Sequence, residues 1–363
     1  MNVVLESEPM VLASEPAVRR APLRVRVLDA TADAGAWDRF VVTRPEATFF
    51  HLAGWREVIE RVYGHRSFYL YAERDGRIEA VLPLARIRSR LFGDALISTP
   101  FCVYGGAIGE PLACTALEEE ACRLAEDLGV DYLELRHLER RHPTWPARDD
   151  LYVTFRKALH PDPERNLAAV PRKQRAMIRK GEQAGLHAVE EEGVERFFRV
   201  YSESVRNLGT PVFPKRWFRA LREVFGGACS VLTVYRGAEP VASVMSFHFR
   251  DEVLPYYGGG TRAARALKAN DYMYWEVMRR ACLRGARVFD YGRSKVGTGS
   301  YRFKKHWGFE PQPLHYEYHL VKARRVPDVN PLNPKYRAAA AVWRRLPLPL
   351  TRVLGPMIAR SLG

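Results

Sequence analysis

Cysteine is scarce in this chain of 363 residues. There are five, Cys102, Cys114, Cys122, Cys229 and Cys282, an odd number with no Cys-x-x-Cys pair. That argues against a disulfide framework and against a cysteine-rich zinc site. His51, His248, His306 and His315 are scattered without ligand spacing, so no metal is expected. No Gly-x-Ser-x-Gly and no P-loop occur, which leaves hydrolase and NTPase readings without support. No apolar run approaches the ~18 residues of a spanning helix. The first residues carry Glu6, Glu8 and Glu15 in place of a basic stretch followed by an apolar one, so a cytoplasmic location is expected. Acid is the other shortage. Lys and Arg number 57 against 42 Asp and Glu, a formal charge of +15, and residues 331–363 hold no acid at all. Such a balance favours polyanionic partners: nucleic acid, nucleotide phosphates or an acidic membrane surface.

What is present is ordinary globular material, 47% hydrophobic and 11% aromatic, enough for about two domains. Residues 1–22 read as a flexible, disordered leader. After it, one order of elements occurs twice. The first copy is a helix at Trp55–Tyr63, a strand from Ser67, an Asp75-Gly76 turn and a strand to Arg88. A third strand then leads to Tyr104-Gly105-Gly106, with a helix at Thr115–Leu128 and a closing strand at Asp131–Arg136. The second copy is a helix at Trp217–Phe225, strands at Cys229–Tyr235 and Pro240–Arg250, and a third strand into Tyr257-Gly258-Gly259. A helix at Asn270–Arg284 and the strand Arg287–Tyr291 close it. The Asp-Gly pair between β-rich runs is a hairpin signal. An antiparallel hairpin, a third strand and a helix crossover give the order of an acetyltransferase-like (GNAT) unit. The expected fold class is therefore α/β, tandem GNAT-like domains with mixed, largely antiparallel sheets. The expected boundaries are 23–160, 161–325 and a basic amphipathic tail at 326–363.

The second copy resembles the FemAB group through Tyr256-Tyr257-Gly258-Gly259-Gly260, Phe289-Asp290-Tyr291-Gly292 and Phe303-Lys304-Lys305-His306-Trp307-Gly308-Phe309. The segments Phe101–Gly106, Pro171–Arg175 and Asn333–Tyr336 are similar to a FemAB subgroup associated with exosortase/PEP-CTERM systems. The resemblance implies tandem GNAT-fold transferases that use aminoacyl-tRNA to extend peptidoglycan precursors, and, for the subgroup, a setting among exopolysaccharide genes. For this chain it implies transfer of an aminoacyl or acyl group to an amine of a nucleotide- or lipid-linked envelope precursor, with no permanently bound cofactor. The alternatives are an acyl-CoA-dependent N-acetyltransferase of an amino sugar and a non-enzymatic envelope-assembly scaffold.

Acyl transfer develops an oxyanion, which a cation held in a low-dielectric cleft stabilises. Lys304 occupies the place of the family's lysine. Lys305 beside it and Asp290 at a strand end complete the expected catalytic set. Arg206 follows a helix as in the family motif that contacts nucleotide-sugar phosphates, a task suited to a guanidinium fork. With Arg175 of the basic helix, Tyr104, Tyr257, Gly258 and Gly259 it forms the expected substrate-binding set. The basic helix is also the expected contact for a tRNA acceptor stem. The loop after Gly260 lacks the glycines of an acetyl-CoA loop, which weakens that donor against aminoacyl-tRNA. Arg262, Arg265 and Lys268 remain its candidate phosphate ligands. The tail alternates Trp343, Leu350, Val353 and Met357 with arginines, so contact with an anionic inner-membrane surface is expected there.

Overall fold

The computed structural model of the protein describes residues 21–28, 34–89, 92–326 and 334–363. The leader expected over residues 1–22 lies, apart from Ala21 and Pro22, outside the described residues.

The first half runs β1 (Arg24–Val27), α1 (Ala34–Thr43), α2 (Gly54–Tyr63), β2 (Ser67–Arg74), β3 (Arg77–Ser89), β4 (Gly93–Ser98), β5 (Ile108–Gly109), α3 (Pro111–Leu128) and β6 (Tyr132–His137). Three short strands follow, β7 (Ala147–Arg148), β8 (Tyr152–Thr154) and β9 (Arg156–Ala158). The second half runs α4 (Pro163–Ala169), α5 (Arg172–Gln183), β10 (Leu186–Glu191), α6 (Glu195–Leu208), α7 (Lys215–Phe225), β11 (Cys229–Arg236), β12 (Glu239–Phe249), β13 (Glu252–Gly260), α8 (Ala264–Leu267), α9 (Ala269–Leu283) and β14 (Val288–Asp290). The chain ends with β15 (Ser294–Lys295), α10 (Gly299–His306), β16 (Gln312–Pro313), β17 (His315–Leu320), α11 (Pro334–Trp343) and α12 (Leu348–Ala359).

The repeated order is present: α2-β2-β3-β4-α3-β6 is matched by α7-β11-β12-β13-α9-β14. Asp75 (φ 50°) and Gly76 (φ 72°) both take the left-handed conformation that a two-residue hairpin turn requires. In each half only the last connection is parallel, β4 with β6 and β13 with β14, because a helix crosses between those strands. The two Tyr-Gly-Gly segments are not equivalent. Tyr257-Gly258-Gly259 lies inside β13, whereas Tyr104-Gly105-Gly106 lies in a loop beyond the end of β4.

The sheets exchange strands. The first has the order β1-β2-β3-β4-β6-β17-β7, with β5 on β3, and so takes β17 from near residue 320. The second has the order β10-β11-β12-β13-β14-β9 and takes β9 from the segment leaving the first half. A small sheet, β15-β8-β16, stitches the crossing segments together. The expected boundaries at 160/161 and 325/326 therefore do not follow the hydrogen bonding. Residues 156–158 pair in the second sheet and residues 315–320 in the first.

One aromatic core serves both halves. Phe49 stacks on Phe247 with ring centroids 4.4 Å apart, and Trp55 meets Trp217 at 6.2 Å. These four rings are fully buried, and each contributes on the order of 1.5–3 kcal/mol by its removal from water. Alternation along β6 separates two tasks. Leu133 and Leu135 pack in the core cluster with Ala113, Leu117 and Ala121 of α3, while Glu134 and Arg136 point to the opposite face.

Candidate active site

β13 and β14 pair only through Glu252 with Val288 and Val253 with Phe289. Beyond that register β13 continues to Gly260 while β14 stops at Asp290, so the strands part. The chain leaving β14 turns at Gly292 (φ 65°) and returns through α10, which Thr298 caps by accepting the Tyr301 backbone N–H.

Lys304 sits on the inner face of α10. Its Nζ donates to the carbonyls of Gly292 at 2.9 Å and Arg293 at 3.1 Å, beside the rings of Phe155 and Tyr291. The side chain is buried, with 8% of its surface exposed. Burial pushes its pKa down to about 7; Asp290 pulls it up and Arg293 pushes it further down. An ammonium has three N–H donors, and the two carbonyls take two. Lys305, one residue on, is rotated about 100° around the helix and is exposed.

Arg293, which the sequence reading did not single out, stands next to it. Its guanidinium lies over the rings of Tyr152 (4.7 Å) and Tyr316 (5.7 Å) and donates to Tyr316 Oη at 2.9 Å. No ion pair to a carboxylate is formed by Arg293 among the described residues. Arg136, buried, donates to Glu134 Oε1 at 2.7 Å and to the Cys102 carbonyl at 2.6 Å. Tyr291 Oη and Ser294 Oγ, on the same strand exit, are buried and find no hydrogen-bond partner among the described residues. Both atoms therefore keep capacity for a further hydrogen bond. The arrangement is thus an aromatic-walled cleft end with two close cations, Lys304 and Arg293, and unused polar atoms.

Asp290, expected in the catalytic set, has its carboxylate taken up by other protein groups. It is fully buried and accepts from Tyr104 Oη (2.9 Å), Arg156 (3.0 Å), the Gly292 N–H (2.7 Å) and Thr154 Oγ1 (3.3 Å). Four donors saturate the carboxylate, which makes it a joint between the halves. Tyr104 is the other side of that joint. It too is buried, and the low-dielectric surroundings, with Asp290 next, raise its pKa well above 10. Its loop is strained, with positive φ at Thr99 (41°) and Phe101 (69°). Tyr256 Oη holds it through the Phe101 carbonyl (3.0 Å) and Tyr316 Oη through that of Val103 (2.8 Å).

Other expected ligand residues take structural places. Tyr257 is a core residue whose Oη accepts from Trp217 Nε1 at 3.1 Å. Gly258 and Gly259 are small because neighbouring helices press on β13. A Cβ on Gly258 would lie 2.7 Å from Tyr274 Oη, and one on Gly259 would strike Ser204. Arg206 is covered by the C-terminal segment, donating to the Leu346 carbonyl at 3.4 Å. Arg175 ties α5 to α4 through the Ala168 carbonyl at 2.7 Å. In the loop after β13, the Arg262 backbone N–H is taken by the Glu203 carboxylate at 2.9 Å. An acidic group thus occupies a backbone amide of the loop that carries the candidate phosphate ligands. Arg265 is exposed, and Lys268, in the left-handed region (φ 58°), turns its Nζ to the Arg265 carbonyl at 3.2 Å. Among the described residues no group of three or more His, Cys, Asp or Glu is placed to hold a metal ion.

Residues 170–305, from the start of the basic helix through Lys305, match the family model of the acetyltransferase (GNAT) domain. In fold the chain is similar to FemX, at 13% identity over 80% of this chain and 96% of that one, with a TM-score of 0.62. It is also similar to a tandem GNAT protein from the clavulanic acid biosynthesis pathway (15% identity, 83% and 99% covered, TM-score 0.52). L-PGS from Bacillus licheniformis is a third such structure (14% identity, 86% and 97% covered, TM-score 0.51). No curated protein sequence matches the chain. The architecture is a tandem GNAT fold, α/β with mixed sheets.

Proposed function

We propose that this tandem GNAT protein is an N-acyltransferase of the FemAB kind, which moves an aminoacyl group from an ester donor to an amine of a cell-envelope precursor. The observation that carries this reading is the Lys304–Arg293 pair at the parting of β13 and β14, within the part of the chain that matches the acetyltransferase domain. In the transfer, the acceptor nitrogen attacks the acyl carbonyl carbon and forms the C–N bond. The carbonyl electron pair moves to oxygen, where the third N–H of cationic Lys304 receives it. The oxyanion collapses, the C–O bond to the donor breaks, and the amine proton leaves with the released hydroxyl or to solvent. Arg293, which pairs with no carboxylate among the described residues, offers a fork to a phosphate or carboxylate of the substrate.

The Glu203 carboxylate on the Arg262 amide supports aminoacyl-tRNA over coenzyme A as donor, because it repels a pyrophosphate at that loop. The FemAB resemblance supports a peptidoglycan precursor as acceptor; its PEP-CTERM-associated branch points to an exopolysaccharide amino sugar instead. The test is transfer from labelled aminoacyl-tRNA and from labelled acetyl-CoA to a nucleotide-linked peptidoglycan precursor, alongside calorimetric titration with coenzyme A. Transfer from the charged tRNA, lost in Lys304→Met, is the expected result. Micromolar coenzyme A binding with acetyl transfer would replace the donor. Lack of transfer from either donor, with Lys304→Met indistinguishable from wild type in cells, would overturn the reading in favour of a scaffold.

A further inference from the structure

The C-terminal segment spans both halves of the molecule and turns its large apolar residues outward. α12 packs inward through its small residues: Thr351, Gly355 and Ala359 are buried, four apart on one face. A Cβ on Gly355 would stand 2.9 Å from the Val212 backbone, so the helix lies tight against the chain that follows α6. Arg352 fastens it to Ser202 Oγ (2.9 Å) and lies over the Phe198 ring. At the far end His65 of the first half is 2.9 Å from the Arg360 carbonyl. The helix is thus anchored at several points and is not a loose tail.

Its outer face is Leu350, Val353 and Met357, spaced i, i+3 and i+7, with exposures of 42%, 65% and 69%. Val342 on α11 is 59% exposed. An ordinary surface helix buries such residues and shows its small or polar ones; here the order is inverted. Arg337, Arg344, Arg345 and Arg360 are exposed on the same C-terminal segment, and residues 331–363 contain no acid. No described helix is long and apolar enough to cross a bilayer.

We propose that α11 and α12 form a docking surface for an anionic lipid bilayer, with Leu350, Val353 and Met357 entering the headgroup–acyl boundary and the arginines meeting lipid phosphates. Charge complementarity chooses this occupant over a second copy of the chain. Self-association through this face would bring two acid-free, arginine-rich segments together, whereas an anionic leaflet attracts them. The proposal is independent of the transfer reaction, since none of these residues belongs to the Lys304 cleft.

The test is flotation of the full chain with phosphatidylcholine vesicles, with and without phosphatidylglycerol, together with sedimentation of the protein alone. The variants are L350S/V353S/M357S and R344E/R345E, all at exposed positions, with circular dichroism as the check of fold. Wild type is expected to float with the anionic vesicles only. Each variant is expected to bind about tenfold more weakly or less. Wild type that stays at the bottom with both vesicles overturns the proposal, as does a folded triple serine variant that floats like wild type. A wild-type dimer that the triple variant dissolves, without vesicle binding, also overturns it and assigns the face to a second copy.

Discussion

Tyr104 Oη donates to Asp290 Oδ2 at 2.9 Å, and this one hydrogen bond joins the strained loop of the first half to the strand end that carries the Lys304 cleft. Arg156, held also by Glu252, completes the joint from the exchanged strand β9. Asp290→Asn leaves the half-buried Arg156 with Glu252 as its one remaining counter-charge among the described residues. Losses of about 3–5 kcal/mol in urea unfolding are expected. Tyr104→Phe is expected to cost about 1–3 kcal/mol, and the double variant less than the sum, since the two share a bond.

Lys304 gives a signed pH prediction. In the folded protein it releases its proton at about 7, whereas an unfolded chain keeps it to near 10.5. Between those values the unfolded state binds more protons, so stability rises with pH through this window. The desolvation penalty is complete below about 7. Lys304→Met is therefore expected to melt higher than wild type at pH 6.5, with the advantage shrinking towards pH 10, while transfer activity is lost. Differential scanning calorimetry across that range checks it. Wild-type kcat is expected to fall as pH rises through about 7, because the oxyanion needs the cation; a rise would assign the lysine as base.

The buried trio of Glu118, His137 and Glu317 gives a second one. His137 Nδ1 is 2.8 Å from Glu317 Oε2 and its Nε2 is 3.4 Å from Glu118. Burial acts to lower the His137 pKa, but the two carboxylates outweigh it and hold it above 6.5. Burial acts to raise both glutamates; the His137 ring beside each, the Arg141 and His142 side chains beside Glu118, and the backbone N–H groups of Arg141 and His142 on Glu317 outweigh it and hold them below 4.5. The glutamate contributions are lost as pH falls through their folded pKa values, and the histidine contribution as pH rises through its own. His137→Gln is expected to destabilise most between about pH 4.5 and 6.5 and least at alkaline pH, read as urea midpoints at each pH.

Gly259→Ala tests whether packing or a ligand demands the glycine. The new Cβ would strike Ser204 on α6. A loss of about 1–3 kcal/mol in the protein without ligand is expected, and Ser204→Gly is expected to recover much of it. A stable Gly259→Ala protein that fails only in substrate binding would return the glycine to the site.

The repeat was readable because each signal is local: an Asp-Gly turn between β-rich runs, and helices with apolar residues at i, i+3 and i+4. Lys304 was readable because a resemblance placed it. Arg293 and Arg136 were not, since a lone arginine carries no sign of the tyrosines or carbonyls that chain folding brings to it. Gly258 and Gly259 suggested a ligand, yet their neighbours are Tyr274 and Ser204, on helices at other positions in the sequence. Asp290 was found as a residue but its surroundings were not, because three of its four donors, Tyr104, Thr154 and Arg156, lie on the other side of the expected 160/161 boundary, and only Gly292 is its neighbour in sequence. The exchange of β9 and β17 had no local mark at all.

That exchange sets a timetable for synthesis. β6 stands beside β17 in the finished sheet, but more than 175 residues separate Tyr132–His137 from His315–Leu320 along the chain. A ribosome making the protein releases the first half with that strand's edge bare, and holds it so until nearly nine-tenths of the chain has emerged. The nascent first half must wait, soluble and unpaired on that side, for its last strand to arrive.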